Sequence, residues 1–188
     1  MPTKTITYCP YCGKTLAEQE VKHKYCKNCD RYLSQQPVNA VEVLVVADET
    51  VLMQKRATGR FPDTWGFPGG HLHANEPPWE GAARELEEET GLQVAVTELS
   101  LFDITYDVND DGSQYLVIGY IVPVSKTNGS INRQSDETID LEYWSPSNFP
   151  DDEKLFHKRY RHRARQATKH IDEIVDVSIH CSRDLRST

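Results

Sequence analysis

Apolar and β-branched residues fill the stretch VEVLVVA at 41–47, Asp48 and Glu49 interrupt it, and VLMQKRA resumes at 51–57. This reads as a buried strand, a tight turn and a second strand. Further on, residues 93–108 and 114–124 look like two strands around Asn109-Asp110-Asp111-Gly112, whose Asp-Gly step signals a hairpin. A polar stretch at 125–140, containing Asn128-Gly129, reads as a loop, and a further strand ends at Trp144. Two segments have helical spacing instead. Trp79, Ala82, Ala83 and Leu86 mark one, closed by Gly91, the residue best suited to a left-handed helix end. Leu155, Tyr160, Ala164, Ala167, Ile171 and Ile174 mark the other, over about 151–175.

Strands interrupted by one helix in mid-chain and closed by a second fit an α/β fold with a mixed sheet held between helices. The final helix has a basic second face of Lys158, Arg159, Arg161, Arg163, Arg165 and Lys169. A solvated surface is the plain reading of such a run; phosphates, a nucleic-acid strand or a partner are the others. Between the second strand and the first helix, Pro62, Gly66 and Pro68 set a loop that carries Trp65 and Phe67. Trp65 is expected either to pack or to stack on a base.

On the first helix Glu85, Glu88 and Glu89 stand at i, i+3 and i+4, so their carboxylates share one patch. Without a counter-charge they would raise one another's pKa and weaken the helix. A divalent cation resolves that conflict, and hard oxygen ligands suit Mg²⁺ or Mn²⁺. The plain alternative is a solvated acidic face.

The spacing extends well beyond the glutamates. Gly70, Glu76, Arg84, Glu85, Leu86, Glu88, Glu89, Gly91 and Leu92 fall where the Nudix box requires them, and the preceding W-G-F-P-G-G run also resembles Nudix members. The resemblance implies an α/β/α sandwich and a hydrolase that opens a nucleoside diphosphate linked to a group X, or a nucleoside triphosphate. By the same resemblance Glu85, Glu88 and Glu89 hold Mg²⁺ or Mn²⁺ together with the Gly69 carbonyl, while Arg84 and Glu76 orient helix and loop. Arg56 is a candidate for a substrate phosphate, and His71 for substrate contact. Glu137, Asp136 and Glu142, ahead of Trp144, are candidates for an extra carboxylate. One departure is Pro77 at the helix N-cap, where the family commonly has Thr or Ser; proline there removes the side-chain cap but is tolerated.

Four of the five cysteines form two C-x-x-C pairs, Cys9 with Cys12 and Cys26 with Cys29. Four thiolates so spaced can close a tetrahedral zinc shell, resembling a zinc ribbon, with Gly13 and Asn28 available for unusual backbone angles. Two disulfides are the alternative in an oxidising compartment. A closed shell leaves no open position, so the zinc is structural. His23 is surplus, and Cys181 is a free thiol in the tail. Lys14, Lys22, Lys24, Lys27 and Arg31, with Tyr8, Tyr11 and Tyr25, leave a nucleic-acid role for the ribbon open. We expect a ribbon at 1–36, a catalytic domain at 37–178 and a polar tail at 179–188, with a connector near 35–39.

Composition narrows the partners. A net charge of −8 over 188 residues argues against a general nucleic-acid binder. Neither a leader nor an apolar run long enough to span a bilayer is present, which leads us to expect a cytoplasmic enzyme, with a homodimer left open. A ribbon ahead of a Nudix domain also resembles the NADH pyrophosphatases, making a dinucleotide the second choice of substrate. Their S-Q-P-W-P-F-P-type array is missing between Gly91 and Trp144. From another class, a non-catalytic nucleotide sensor or nucleic-acid-binding module is the rival; the intact carboxylates favour an enzyme. Capped RNA guided by the basic helix is a third expectation.

Overall fold

The computed structural model describes residues 7–17, 25–32, 37–59, 61–109, 113–132 and 136–174. Lys22, His23, Lys24, Gln35 and Gln36 of the connector, the Asp110-Asp111-Gly112 turn and Cys181 lie outside them. The chain divides into two compact units, Met1–Asn39 with Tyr106–Leu116, and Ala40–Thr105 with Val117–Thr188.

In the first unit, β1 (Tyr25–Cys26) pairs antiparallel with β2 (Arg31–Tyr32), and Tyr8 bridges Thr15. Each hairpin encloses or follows a C-x-x-C pair. Cys9, Leu16 and Cys26 are buried together, with Cys29 packed against them. Gly13 has a φ of 68°, as its position after Cys12 requires. In the second knuckle the left-handed residue is Asp30, φ 54°, not the expected Asn28. Asp30 follows Cys29 just as Gly13 follows Cys12, and an aspartate tolerates this conformation. Asn28 instead donates from Nδ2 to Cys12 Sγ at 3.5 Å.

Most of a mixed sheet, seven-stranded among the described residues, lies in the second unit. The sheet's strands are β3 (Val38–Ala47), β4 (Thr50–Arg56), β5 (Trp65–Gly66), β6 (Gly69–His71), β8 (Ser100–Val108), β9 (Gln114–Pro123) and β11 (Thr138–Trp144). The main order is β11-β4-β3-β9-β8, with β5 on β4 and β6 on β3. Side chains alternate between the faces of a strand, and both faces of β3 are apolar. Val41, Val43 and Val45 pack under α1 (Pro78–Thr90) with Ala82 and Leu86. Leu44 and Val46 pack under α2 (Tyr160–Ile174) with Tyr160, Ala164 and Ala167. The result is the expected sandwich.

Three expectations are corrected. First, the stretch at 125–140 is not all loop: β10 (Thr127–Gly129) pairs antiparallel with β7 (Leu92–Val94). A Cβ on Gly129 would lie 2.6 Å from the Gly91 carbonyl, so glycine is what lets the two backbones approach there. Second, the last helix starts at Tyr160 rather than near 151. Leu155 is buried in one cluster with Trp65 and Tyr160, its backbone bridges to Trp65, and Phe156 donates its N–H to the Trp65 carbonyl at 2.8 Å. Third, the basic face is not uniform. Arg163 is 3 % exposed; its guanidinium meets Glu42 and donates to both Asp103 oxygens at 2.7 and 2.8 Å. Arg161 is held by the Pro150 carbonyl at 2.8 Å and Asp152 at 3.2 Å. No helix among the described residues is long and apolar enough to cross a membrane.

Candidate active site and cysteine cluster

The first helix begins without a side-chain cap. Pro77 is extended, and its carbonyl accepts from Glu80 and Gly81, both at 3.0 Å. At the other end Gly91, φ 76°, closes the helix by donating to the Glu87 carbonyl at 2.9 Å. The helix presents Ala82 and Leu86 to the sheet, which fixes where the acidic residues stand.

Arg84 is the hub of the surrounding loop. Its Nε and Nη2 donate to the two Glu76 oxygens at 2.7 and 2.9 Å, and Nη2 also reaches the His71 carbonyl at 3.2 Å. Nη1 donates to Glu85 at 2.8 Å and to Glu88 at 2.9 Å. The guanidinium beside Glu76 holds that carboxyl down to about 2. In turn Glu76, then Glu85 and Glu88, keep Arg84 firmly charged.

Burial pushes Glu85 up, against the pull of Arg84, and the charges of Glu88 and Glu137 push it further. Glu89 is 6 % exposed, and burial pushes it up to about 8. Gln54 Nε2 and the Gly69 N–H oppose that shift, donating to Glu89 Oε2 at 2.7 and 2.6 Å. Glu88 is the outermost of the three, with its side chain 56 % exposed. Helical spacing therefore brings the three carboxylates to one side, but their oxygens do not close on one point among the described residues. Arg84 draws Glu85 and Glu88 while Gln54 and Gly69 draw Glu89.

The loop glycines make room for this. A Cβ on Gly70 would fall 2.7 Å from the Glu85 carboxylate carbon and both its oxygens. One on Gly69 would fall 2.2 Å from the Val41 carbonyl oxygen. An all-oxygen donor set in a cradle that a side chain would fill fits Mg²⁺ or Mn²⁺.

The remaining candidates separate. Glu137 is exposed, and its charge acts on Glu85. Arg56 acts electrostatically on Glu89; its guanidinium lies 4.8 Å from the Phe156 ring centroid, and its buried Nε has no hydrogen-bond partner. Glu142 stands opposite Met53, which faces α2, so it is on the wrong face of the sheet for the glutamates. Trp65 is 7 % exposed and meets Trp144 edge-on at 5.5 Å, so it packs and offers no stacking platform. His71 contributes its carbonyl to Arg84.

Gln54 and Thr138 are not among the residues that spacing and motif mark for the site. Both are 1 % exposed, and Thr138 Oγ1 donates to Gln54 Oε1 at 2.9 Å. The available signal was a lone amide inside the apolar run VLMQKR, since a buried polar group must have a partner.

In the first unit, the sulfurs of Cys9, Cys12, Cys26 and Cys29 all lie within 4.8 Å of one another. Cys9 and Cys29 are 3.6 Å apart and Cys12 and Cys26 3.7 Å. The edge of a zinc–thiolate tetrahedron is about 3.8 Å for zinc–sulfur bonds of about 2.3 Å, whereas a disulfide needs sulfurs at about 2.05 Å. The Lys14 amide, more than Asn28, holds Cys12 down to about 6. The donor set fits structural zinc.

The family model for the NUDIX domain matches residues 36–165. The chain belongs to the Nudix family. An ADP-ribose pyrophosphatase of Methanocaldococcus jannaschii is 28 % identical over 138 residues, covering 73 % of this Nudix chain and 78 % of that protein. An m7GpppN-mRNA hydrolase of Danio rerio is 31 % identical over 101 residues, covering 53 % of this chain and 32 % of the fish enzyme. Among solved structures, a MutT NUDIX hydrolase from Burkholderia pseudomallei superposes with a TM-score of 0.62 at 22 % identity, covering 70 % of this chain and 98 % of that one. At that identity the likeness is one of fold.

Proposed function

We propose that this Nudix protein hydrolyses the pyrophosphate linkage of a nucleoside diphosphate-X or nucleoside triphosphate, using Mg²⁺ or Mn²⁺ held by Glu85, Glu88, Glu89 and the Gly69 carbonyl. The observation that carries this reading is the pairing of Glu89, fixed by Gln54 and Gly69, with Glu85 in the cradle beside Gly70. When bound, the cation would supply positive charge against the pyrophosphate and lower the pKa of water, so that it loses a proton readily and becomes nucleophilic enough to attack phosphorus. Arg84 and Glu76 hold the loop and helix in register. Arg56, whose charge acts on Glu89, offers a cation to the substrate phosphates. Glu137, the exposed carboxylate that acts on Glu85 from outside the helix, accepts the proton of the attacking water. The water oxygen bonds to one phosphorus, the bridging P–O bond breaks, and a nucleoside monophosphate and a phosphorylated X depart. When X is a single phosphate, as in a nucleoside triphosphate, the departing phosphorylated X is pyrophosphate.

In this reading residues 1–36 are a zinc ribbon that staples the fold, 37–178 are the catalytic domain and 179–188 a polar tail. Four thiols arranged for zinc fit a reducing compartment, which for us means the cytoplasm. A small-molecule substrate is favoured over nucleic acid, because Arg163 and Arg161 of the basic face are committed within the protein. The test is a panel of nucleotide sugars, ADP-ribose, dinucleotides, triphosphates and capped RNA with Mg²⁺ or Mn²⁺, identifying products by mass. Release of a monophosphate from one class supports the reading. A thermal shift by one nucleotide with no product from any of them would instead establish a sensor.

A further inference from the structure

Gln54 lies in the middle of β4 and Thr138 at the start of β11, 84 residues apart in sequence, yet they form one buried chain ending on Glu89. To hold a cation Glu89 must be ionised, and an ionised carboxylate only accepts hydrogen bonds, so the Gln54 amide must turn its NH₂ toward it. That leaves the Gln54 oxygen facing Thr138, whose hydroxyl must donate to it. Thr138 thereby sets which end of the amide Glu89 meets. The Gly69 N–H, at 2.6 Å, completes the arrangement. Both donors end on Oε2, so Oε1 is the Glu89 oxygen available to a cation.

We propose that Gln54 and Thr138 are positioning residues that aim Glu89 Oε1 at the divalent cation. The inference rests on the hydrolase reading above. Partners at one remove from a metal typically change affinity or activity on the order of 10–100-fold when lost. Thr138 is also the neighbour of Glu137, so the same strand end that orients Glu89 carries the carboxylate that acts on Glu85.

The experiment is Mn²⁺ binding to the full chain without substrate, read from the electron paramagnetic resonance signal of free Mn²⁺. Steady-state kinetics at varied Mn²⁺ and melting without metal accompany it. Q54L weakens Mn²⁺ binding by about 10-fold or more. T138V, which keeps shape and loses the hydroxyl, weakens it by less, and T138S restores it. The kcat of T138V recovers at high Mn²⁺, an effect that loss of packing alone would not show. Should Q54L fail to fold, the T138V and T138S pair decides. Wild-type Mn²⁺ affinity in folded Q54L or in T138V overturns the inference. Wild-type protein that binds no Mn²⁺ and cleaves no nucleotide overturns the hydrolase reading instead, and the inference with it.

Discussion

Arg84 grips Glu76 with two parallel hydrogen bonds of 2.7 and 2.9 Å, eight residues apart across the loop that precedes the helix. A planar guanidinium matches a carboxylate in this way, and an ammonium does not. R84K should therefore retain the charge but lower kcat/KM by at least about 10-fold, since each 1.4 kcal/mol of lost positioning is about tenfold. Steady-state kinetics beside a melting curve would check this, with wild-type kinetics refuting it.

The same pair has a pH signature. Glu76 is held down to about 2, so its folded value is depressed below the unfolded one. Its stabilising effect is then fully present above about pH 4.5 and is lost as pH falls toward 2. The melting temperature of E76Q should sit below that of wild type at neutral pH, with the gap closing in acid. A constant gap across pH 2–7 would contradict the assignment.

Glu88 lies outermost, with its side chain 56 % exposed, and its contact with Arg84 is a surface pair. E88Q should melt within about 1 kcal/mol of wild type and lose most metal-dependent turnover. Wild-type rates in E88Q would remove Glu88 from the machinery.

Two adjacent glycines should respond differently. At Gly69 an added Cβ meets the Val41 backbone at 2.2 Å, and backbone cannot step aside. At Gly70 the nearest atoms are the movable end of Glu85 at 2.7 Å. G69A should lower the melting temperature, whereas G70A should leave it nearly unchanged and cut turnover by displacing the Glu85 carboxylate. Equal losses of stability would refute the distinction.

Zinc removal tests the first unit. Native mass spectrometry should find one zinc per chain, and a strong chelator should release it and speed amide exchange around Cys9 to Arg31, with the slow amides of β3 and β4 unchanged. Absence of zinc, or disulfides among the four cysteines, would overturn this.

Sequence patterning goes far here because the decisive features are local. The α1 face carrying Glu85, Glu88 and Glu89 follows from helical period, and the cysteine cluster from two short spacings. The features it missed are long-range. Gln54 meets Thr138 only once β4 and β11 pair, and Arg163 leaves an otherwise basic face only because Glu42 and Asp103 await it on β3 and β8. Leu155 satisfies helical spacing yet lies ahead of α2, buried in one cluster with Trp65 and Tyr160. Periodicity reports that a side chain is buried, not which element buries it.

The two faces of β3 answer to different helices, and Glu42 stands in register with Gly69 between them. Deleting one residue anywhere in 41–46 would exchange the valines owed to α1 with the leucine owed to α2, and would slip Gly69 from its partner. In this chain a few consecutive positions in one strand act as a ruler, and a single missing notch would cost both the sandwich and the carboxylate geometry at once.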